Sequence, residues 1–236
     1  MRLHLMTYNM YSGRDLDGNY DLAGKIAAIR ACAPDILSLN EVHRCTHLSR
    51  GADQAEEIAQ ACGFPYRFYA RTIDHDGGEY GIALLSRYPI LNAENRSVPP
   101  CFCPDKSPEP RTVIDAMICC GEKTLHVLTT HFGLSDREQQ AGAAHILRLT
   151  GDRDTSTVVM GDLNCTPDSA VIGSLCDRFA DTAAWQTDGQ RATYRNPVPS
   201  RKIDYIFVSR DLTVLEAAVP ALGTSDHRPV TCEIAF

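Results

Sequence analysis

Hydrophobic and polar residues alternate from the start of the chain, which is the spacing of a β-strand with one buried face. Leu3, Leu5 and Thr7 set this alternation. Seven further segments are predicted strands: DILSLNEV, YGIALLSRYPI, RTVIDAMICC, TLHVLTTHF, TVVMGDLN, IDYIFVS and RPVTCEIAF. A proline-rich stretch, PPCFCPDKSPEP, separates the second and third of these segments and is predicted to be a loop.

The first predicted helix follows the first strand. Leu22, Ile26 and Ile29 lie on one helical face, after a predicted N-cap at Asp21. Pro34 prevents the helix from continuing much further, because proline has no backbone N–H to donate.

End signals mark three further helices. The second helix ends at Gly63, a good C-cap. Its small and apolar positions are Ala55, Ile58, Ala59 and Cys62. Ser135 and Glu138 fit a capping box that opens the helix of REQQAGAAHILRL. Thr166 is predicted to cap the last helix, with Pro167 in its first turn.

Strands outnumber helices, and several strands follow one another with no helix between them. This order favours mixed, largely antiparallel pairing over a doubly wound parallel sheet. Two sheets packed face to face with helices outside are therefore expected, an α/β fold of the α+β type. We find no internal repeat and no linker-like composition, so residues 1–236 are predicted to form a single domain.

The composition is that of a soluble globular protein, with 44% hydrophobic and 22% charged residues. No apolar run approaches the roughly 20 residues that a membrane-spanning helix needs. The first residues, MRLHLMTYNM, do not have the pattern of a signal peptide. A cytoplasmic location is therefore expected, and no protein partner is indicated.

Ten cysteines are scattered along the chain. Without a signal peptide, we interpret them as reduced and mostly buried small hydrophobic residues. Cys101 and Cys103 form a close pair, but no second pair stands at zinc spacing. Structural zinc is therefore disfavoured.

The net charge of −7 and the dispersed lysines and arginines disfavour a surface that grips duplex DNA through many phosphates. A bound metal could still supply local positive charge. A nucleic-acid substrate therefore stays open, with lower odds for non-specific DNA binding.

Polar side chains end five of the predicted segments. These side chains are Asn9, Glu41, His131, Asp162 with Asn164, and Asp226 with His227. Loops held by a rigid scaffold often carry catalytic groups, and carboxylate and amide oxygens suit Mg²⁺ or Mn²⁺. Each has a simpler interpretation, such as an Asx-turn at Asp162 or a buried structural histidine at His131. Their recurrence at five segment ends favours a shared site.

Seven motifs together resemble the endonuclease/exonuclease/phosphatase superfamily, which includes deoxyribonuclease-I-like nucleases, AP endonucleases, inositol polyphosphate 5-phosphatases and neutral sphingomyelinases. They are TYN (7–9), LNEV (39–42), YGIALLSRYPI (80–90), THFGLS (130–135), VVMGDLNCTPDS (158–169), KIDYIFVS (202–209) and SDHRPV (225–230). The resemblance covers nearly the whole chain and implies a four-layer α/β/β/α sandwich with two packed mixed sheets.

The resemblance also implies a site for Mg²⁺ or Mn²⁺. Glu41 resembles the principal metal-binding glutamate of the family. Asn9 resembles the strand-end asparagine that assists at the metal or phosphate, and Asp226 resembles the second acidic residue near the metal.

The implied catalytic residues come from later motifs. Asp162 resembles the aspartate that positions or deprotonates the attacking water. Asn164 and His131 resemble contacts to phosphate oxygens. His227 resembles the active-site histidine, a proton carrier or a phosphate clamp, and Asp204 resembles its carboxylate partner.

Three positions depart from the family pattern. Asn40 stands where glutamine usually precedes the glutamate, Tyr11 where an acidic residue or histidine is common, and Ile82 where small bacterial members often have asparagine. None of these removes a core catalytic group, so they bear on the substrate more than on the reaction.

The first functional hypothesis is a metal-dependent phosphoesterase that hydrolyses a phosphodiester or phosphomonoester of a small or lipid-like molecule. The second is a DNA-processing nuclease with the same catalytic residues. The third is a non-catalytic binding module, which is disfavoured because the catalytic acids and His227 are all present.

Overall fold

A computed structural model describes residues 1–101, 108–151, 155–195 and 199–236. Cys103 and the middle of the predicted proline-rich loop lie outside these ranges. The described strands are β1 (Arg2–Asn9), β2 (Ile36–Arg44), β3 (Tyr66–His75), β4 (Gly78–Ser86), β5 (Ile90–Ser97), β6 (Thr112–Cys120), β7 (Lys123–His131), β8 (Thr157–Asp162), β9 (Phe179–Asp181), β10 (Tyr194–Arg195), β11 (Pro199–Arg201), β12 (Asp204–Ser209), β13 (Thr213–Ala218) and β14 (Val230–Ala235). The described helices are α1 (Leu22–Cys32), α2 (Gln54–Cys62), α3 (Asp136–Thr150), α4 (Ala170–Cys176) and α5 (Asp188–Arg191).

Two six-stranded mixed sheets form the centre of the fold. The first has the order β13-β14-β1-β2-β4-β3, and the second has the order β5-β6-β7-β8-β12-β9. Each sheet contains one parallel pair, β1 with β2 and β7 with β8, and its other pairs are antiparallel. The parallel pairs are joined by α1 and α3, as a parallel crossover requires.

The two sheets pack face to face through one cluster of buried side chains. Leu5 and Ile36 from the first sheet share this cluster with Val127 and Val158 from the second. Because side chains alternate along a strand, the intervening residues point away from the other sheet. Burial of both faces explains why the central strands are apolar almost throughout.

Helices cover the outer faces. Met6 of β1 packs in a cluster with Ile29 of α1 and Ile58 of α2. On the other side, Val159 of β8 packs with Ile146 of α3. The predicted four-layer α/β/β/α sandwich is thus confirmed.

The helix ends mostly follow their sequence signals. The Asp21 side chain accepts from the Gly24 N–H, and Gly63 ends α2 in a left-handed conformation. Ser135 and Glu138 form the predicted capping box of α3. These local bonds satisfy backbone groups that have no partner inside the helix.

Thr166 does not cap the last of the predicted helices. Its hydroxyl donates to Asp168, at 2.5 Å, and the turn continues through Pro167. Ser169 caps α4 instead, and its side chain accepts from the Ile172 N–H at 3.2 Å.

The prediction of a single strand over YGIALLSRYPI is also wrong. β4 ends at Ser86 in the first sheet, and β5 begins at Ile90 in the second. Between them the Arg87 N–H donates to the Asp35 carbonyl, and Pro89 has no N–H to donate. The chain changes sheet at this corner.

Asn40 ties the two sheets together at the carboxyl ends of their parallel strands. Its amide Nδ2 donates to the Thr130 carbonyl at 2.9 Å, and its Oδ1 accepts from the Asp162 N–H at 3.0 Å. Asn40 is fully buried. A side chain of the first sheet thereby completes backbone hydrogen bonds of two strands in the second.

Replacing Asn40 with alanine should destabilise the protein by about 2–4 kcal/mol, because two buried backbone groups lose their partners. Urea unfolding followed by circular dichroism measures this loss, with the exposed Asn92→Ala variant of β5 as control. A loss no larger than that of the control would contradict the proposed link between the sheets through Asn40.

We also propose that residues 1–236 form a single domain, for which wild type should unfold in one cooperative transition.

Candidate active site

Asn9 ends β1 and lies buried between the two sheets. Its Nδ2 donates to Asp162 Oδ2 at 3.0 Å and to Glu41 Oε1 at 3.2 Å. Its Oδ1 accepts from the Tyr11 N–H at 3.0 Å, so the side chain also forms a local turn. The amide nitrogen of Asn9 therefore joins two carboxylates from different sheets.

Glu41 lies at an irregularity in β2. Its φ of 59° is left-handed, and the pairing of β2 with β4 shifts between Leu39 and Val42. The Ser12 hydroxyl donates to Glu41 Oε2 at 3.2 Å. Burial raises the pKa of Glu41, although the hydrogen bond from Asn9 lowers it. Such strained backbone is typical of positions where the fold aims a side chain.

Asp162 is the central carboxylate of the site. Its Oδ2 lies 3.6 Å from His131 Nε2 and 3.7 Å from His227 Nε2. Its Oδ1 accepts from the Asn164 N–H at 2.9 Å, which is the Asx-turn that the sequence suggests. Burial, and the nearby charge of Asp204, raise the pKa of Asp162.

Gly161 allows β8 to lie close enough to β7 for this arrangement. A Cβ at this position would lie 1.9 Å from the Thr130 carbonyl oxygen, and φ is 147°. Only glycine can occupy such a position without moving the backbone. The resulting register places His131 opposite Asp162.

His227 and Asp204 form a buried pair. His227 Nδ1 and Asp204 Oδ2 are 2.7 Å apart, which leaves Nε2 to face Asp162. Burial alone would disfavour the imidazolium, but the carboxylates of Asp204 and Asp162 outweigh it and raise the pKa of His227. The Thr193 hydroxyl accepts from the Asp204 N–H at 3.1 Å and fixes the start of β12.

Ser225 connects the loop that carries Asp226 and His227 to β1. Its hydroxyl donates to the Asn9 carbonyl at 2.8 Å and accepts from the His227 N–H at 3.1 Å. Asp226 Oδ1 lies 3.3 Å from the same hydroxyl. Burial raises the pKa of Asp226.

A buried lysine holds the same loop from the helix side. Lys25 Nζ donates to the Thr224 hydroxyl at 2.8 Å and to the Arg14 carbonyl at 2.5 Å. Burial lowers the pKa of Lys25 to about 8. The loop is thus anchored to both β1 and α1.

His131 and Asn164 also flank Asp162, His131 from the neighbouring strand β7 and Asn164 from the turn after β8. Burial, reinforced by the charge of Arg111, lowers the pKa of His131, so its imidazole is neutral near pH 7. Asn164 has a left-handed φ of 52°, and its Nδ2 donates to the Phe132 carbonyl at 3.0 Å.

The site carries an excess of negative charge. Four carboxylates, those of Glu41, Asp162, Asp204 and Asp226, stand with one imidazolium, that of His227. Within the described ranges, Asp162, Asp204 and His227 place one potential ligand atom each within 4.8 Å of one another, a group that does not include Glu41 or Asp226. An excess of buried carboxylate oxygen fits a divalent cation, which would offset the cost of burying these charges.

The structure brings together all eight residues proposed from the sequence, and it adds several that sequence reasoning missed. Ser12, Thr193 and Lys25 carry no motif signal that would have identified them. Ser225 belongs to the SDH motif, where only its neighbours were assigned a role. Asn40, which departs from the usual glutamine of the family, forms hydrogen bonds that join the two sheets.

A family model described as the endonuclease/exonuclease/phosphatase family matches residues 6–227. The chain belongs to this family. The predicted membership is confirmed, and the family's hydrolases include nucleases and phosphatases.

Other proteins resemble the chain in sequence or in fold. The chain is 27% identical over 225 residues to the uncharacterized protein YbhP of Escherichia coli K12, covering 91% of this chain and 86% of YbhP. A crystal structure of an endonuclease/exonuclease/phosphatase from Beutenbergia cavernae superposes with a TM-score of 0.82 at 24% identity, covering all of this chain and 72% of the other. The mannosyl-6-phosphatase Bt3783 of Bacteroides thetaiotaomicron superposes with a TM-score of 0.71 at 18% identity, covering 99% and 100% of the chains. At these identities the structures show a shared fold.

Two further findings concern parts of the described structure outside the site. In the described part, none of the helices combines the length and the apolar character that crossing a membrane would require. Of the nine described cysteines, Cys120, Cys165 and Cys232 are buried, Cys45 is exposed and the other five are partly buried, so the expectation that most are buried is wrong.

The Asp204→Asn substitution should lower the pKa of His227 toward the ordinary value near ~6.5, because a carboxylate favours the imidazolium and an amide does not. NMR titration of the imidazole resonances in metal-free protein measures this change. The exposed Asp74→Asn variant serves as control. An unchanged pKa in the Asp204 variant would show that this pair does not set the charge of His227.

Proposed function

We propose that this protein is a divalent-metal-dependent phosphoesterase that hydrolyses a phosphodiester or phosphomonoester by in-line attack of an activated water. The observation that carries the proposal is the position of Asp162. Its carboxylate lies between His131, His227 and the amide of Asn9, which also bonds Glu41.

Glu41 and Asp226 are the proposed metal ligands. Both offer carboxylate oxygens, and burial raises the pKa of each, so each would gain from a bound cation. The amide oxygen of Asn9 accepts from the Tyr11 N–H, so the amide nitrogen of Asn9 faces Glu41. We therefore propose that Asn9 positions Glu41. A bound Mg²⁺ or Mn²⁺ would neutralise phosphate oxygens and stabilise the charge of the leaving group.

Asp162 is the proposed residue that orients and deprotonates the water. Its raised pKa makes it a stronger base than an exposed carboxylate. The Asn9 amide and the Asn164 backbone N–H donate to its carboxylate, and its own backbone N–H donates to Asn40 Oδ1, which fixes the residue in place. A fixed base contributes to rate because the attacking water is placed in line before reaction.

His227, His131 and Asn164 are the proposed phosphate contacts. His227 is held charged by Asp204, so its Nε2–H can donate to an anionic oxygen. His131 is held neutral and can donate from Nε2 if its proton is there. One amide hydrogen of Asn164 bonds Phe132, and the other is available to the substrate.

A small phosphate ester suits this protein better than duplex DNA. The net charge of the chain is −7, and four carboxyl groups meet at the site. The mannosyl-6-phosphatase Bt3783 has a related fold, so this architecture is compatible with a small phosphate-ester substrate. Plasmid nicking in the screen below would instead support the nuclease alternative.

Wild-type protein with Mn²⁺ or Mg²⁺ should hydrolyse members of a panel of phosphomonoesters, phosphodiesters, phospholipid head groups and DNA. The Asp162→Asn and His227→Ala variants should lose about 10²-fold or more in kcat/KM, because each removes a group acting on the reacting atoms. Phosphate release or chromogenic assay provides the rates, and the exposed His47→Ala variant is the control. Full activity in both variants would refute the proposed roles.

The Glu41→Gln variant should gain less thermal stability from MnCl₂ or MgCl₂ than wild type, because it loses a ligand charge. Without metal it should be as stable as wild type or more stable, since burial of the carboxylate is no longer required. Differential scanning fluorimetry measures both effects, with the exposed Glu57→Gln of α2 as control. An identical metal-induced increase in Tm in wild type and Glu41→Gln would remove Glu41 from the metal site.

A further inference from the structure

Arg195, the second residue of β10, binds the loop that carries Asp226 and His227. Its Nε donates to the Ser225 carbonyl at 2.8 Å, and its Nη2 donates to the Gly223 carbonyl at 2.7 Å. Its backbone N–H donates to the Asp226 carbonyl at 2.7 Å. One residue thus binds three carbonyl groups within four consecutive positions of the loop.

A backbone bridge holds Arg195 against this loop. Its neighbour Tyr194 pairs antiparallel with His227, and the two rings lie 5.2 Å apart. The Arg228 N–H donates to the Thr193 carbonyl at 2.7 Å, on the other side of the same bridge. Because β10 is bonded to the loop on both sides of Tyr194, the guanidinium of Arg195 starts from a fixed place beside the carbonyls that it binds.

The loop is packed closely against β1 at Gly223. The φ of Gly223 is 80°, a conformation that glycine adopts without strain, and a Cβ there would lie 2.2 Å from the Tyr8 hydroxyl oxygen. The next residue, Thr224, is bound through its hydroxyl by Lys25. Arg195 and Lys25 therefore hold consecutive residues of one loop.

The direction of the Asp226 carboxylate depends on this backbone. Within the described ranges, its one hydrogen-bonding neighbour from another residue is the Ser225 hydroxyl, at 3.3 Å, and that hydroxyl donates to the Asn9 carbonyl at 2.8 Å. A hydroxyl has a single proton, so the support that it gives to Asp226 is weak. A metal ligand that is already in place loses less conformational freedom when the cation binds. Holding the backbone of Asp226 therefore favours cation binding.

We infer that Arg195 is a positioning residue of the metal site, which raises the affinity for the divalent cation by holding the backbone that directs Asp226. The inference rests on the proposed function, in which Asp226 is a metal ligand. Guanidinium geometry is required, because this planar group donates to two carbonyls at once, whereas a lysine ammonium is a flexible point charge.

The Arg195→Lys variant tests this geometry while it keeps the positive charge. It should bind Mn²⁺ about tenfold more weakly than wild type, because replacing a residue that supports a metal ligand typically costs about 10–100-fold in affinity. Isothermal titration calorimetry of metal-free protein with MnCl₂ measures the dissociation constant, at a temperature where circular dichroism shows that the variant is folded.

Arg195→Gln is a second variant in case Arg195→Lys folds poorly. It removes a cation beside the Asp226 loop, and by Coulomb's law this change alone would strengthen the binding of a positive ion. We expect Mn²⁺ binding to be weaker instead, by about threefold or more, because the loop is no longer held.

Arg87→Lys is the matched control. The Arg87 guanidinium also binds backbone carbonyls, those of Pro34, Cys62 and Gly63, at 3.1–3.3 Å. These bonds lie near the start of β2, whereas Glu41 lies toward the end of that strand. Arg87→Lys should lower the Tm but keep the affinity for Mn²⁺ within about twofold of wild type, because distant sites act independently.

The Asp226→Asn variant distinguishes failure of the inference from failure of the proposed function. If it binds Mn²⁺ more weakly while the folded Arg195 variants bind as wild type does, Asp226 is a ligand and Arg195 does not position it. Equal weakening in Arg87→Lys and the Arg195 variants also overturns the inference, since the cause would then be general destabilisation. If wild type does not bind Mn²⁺, or Asp226→Asn binds it unchanged, the proposed metal site is wrong and the role of Arg195 is refuted with it.

Discussion

The candidate site depends on bringing the carboxyl ends of two parallel strand pairs, one from each sheet, to the same place. The buried amide of Asn40 enforces this meeting, because it bonds the Thr130 carbonyl and the Asp162 N–H at once. A hydrogen bond buried between sheets has no water to replace it, so its geometry is held tightly. Asn9 repeats the connection one strand away by joining Glu41 to Asp162. Packing of the sheets and assembly of the site are therefore one event.

This arrangement collects charges that would not otherwise be buried together. Four carboxylates converge on one imidazolium, and each is held by hydrogen bonds that cost stability if left unmade. The pKa values of His131 and His227 move in opposite directions, because burial, reinforced by Arg111, lowers that of His131, whereas the carboxylates of Asp204 and Asp162 outweigh burial at His227. Two residues of the same type thereby present a neutral and a charged imidazole to one site.

Much of the fold and the site could be predicted from the sequence, and the failures have physical causes. Alternation of apolar and polar residues indicates β1, and nearly continuous apolar runs indicate β2 and β8, which are buried on both faces. Edge strands such as β3 and β13 carry mostly exposed residues, so their alternation is weak. The turn at Arg87 was missed because β4 and β5 are both apolar at the corner where the chain changes sheet.

The site residues at strand ends can be predicted because their polar side chains stand within recognisable sequence motifs. Residues that act through one bond to another chain segment gave no such signal. Lys25, for example, holds Thr224 across 199 positions of sequence. Its spacing within α1 is that of any buried helix residue, and only the folded chain shows what its ammonium group contacts.

The pairing of β1 with β14 joins distant parts of the sequence beside the candidate site. Until β14 pairs, one edge of β1 has no partner. The Ser225 hydroxyl that bonds the Asn9 carbonyl, and His227 itself, come just before that strand. Pairing of β14 with β1 therefore closes the first sheet and delivers His227 in the same folding step, and a folding intermediate without β14 would also lack a complete site.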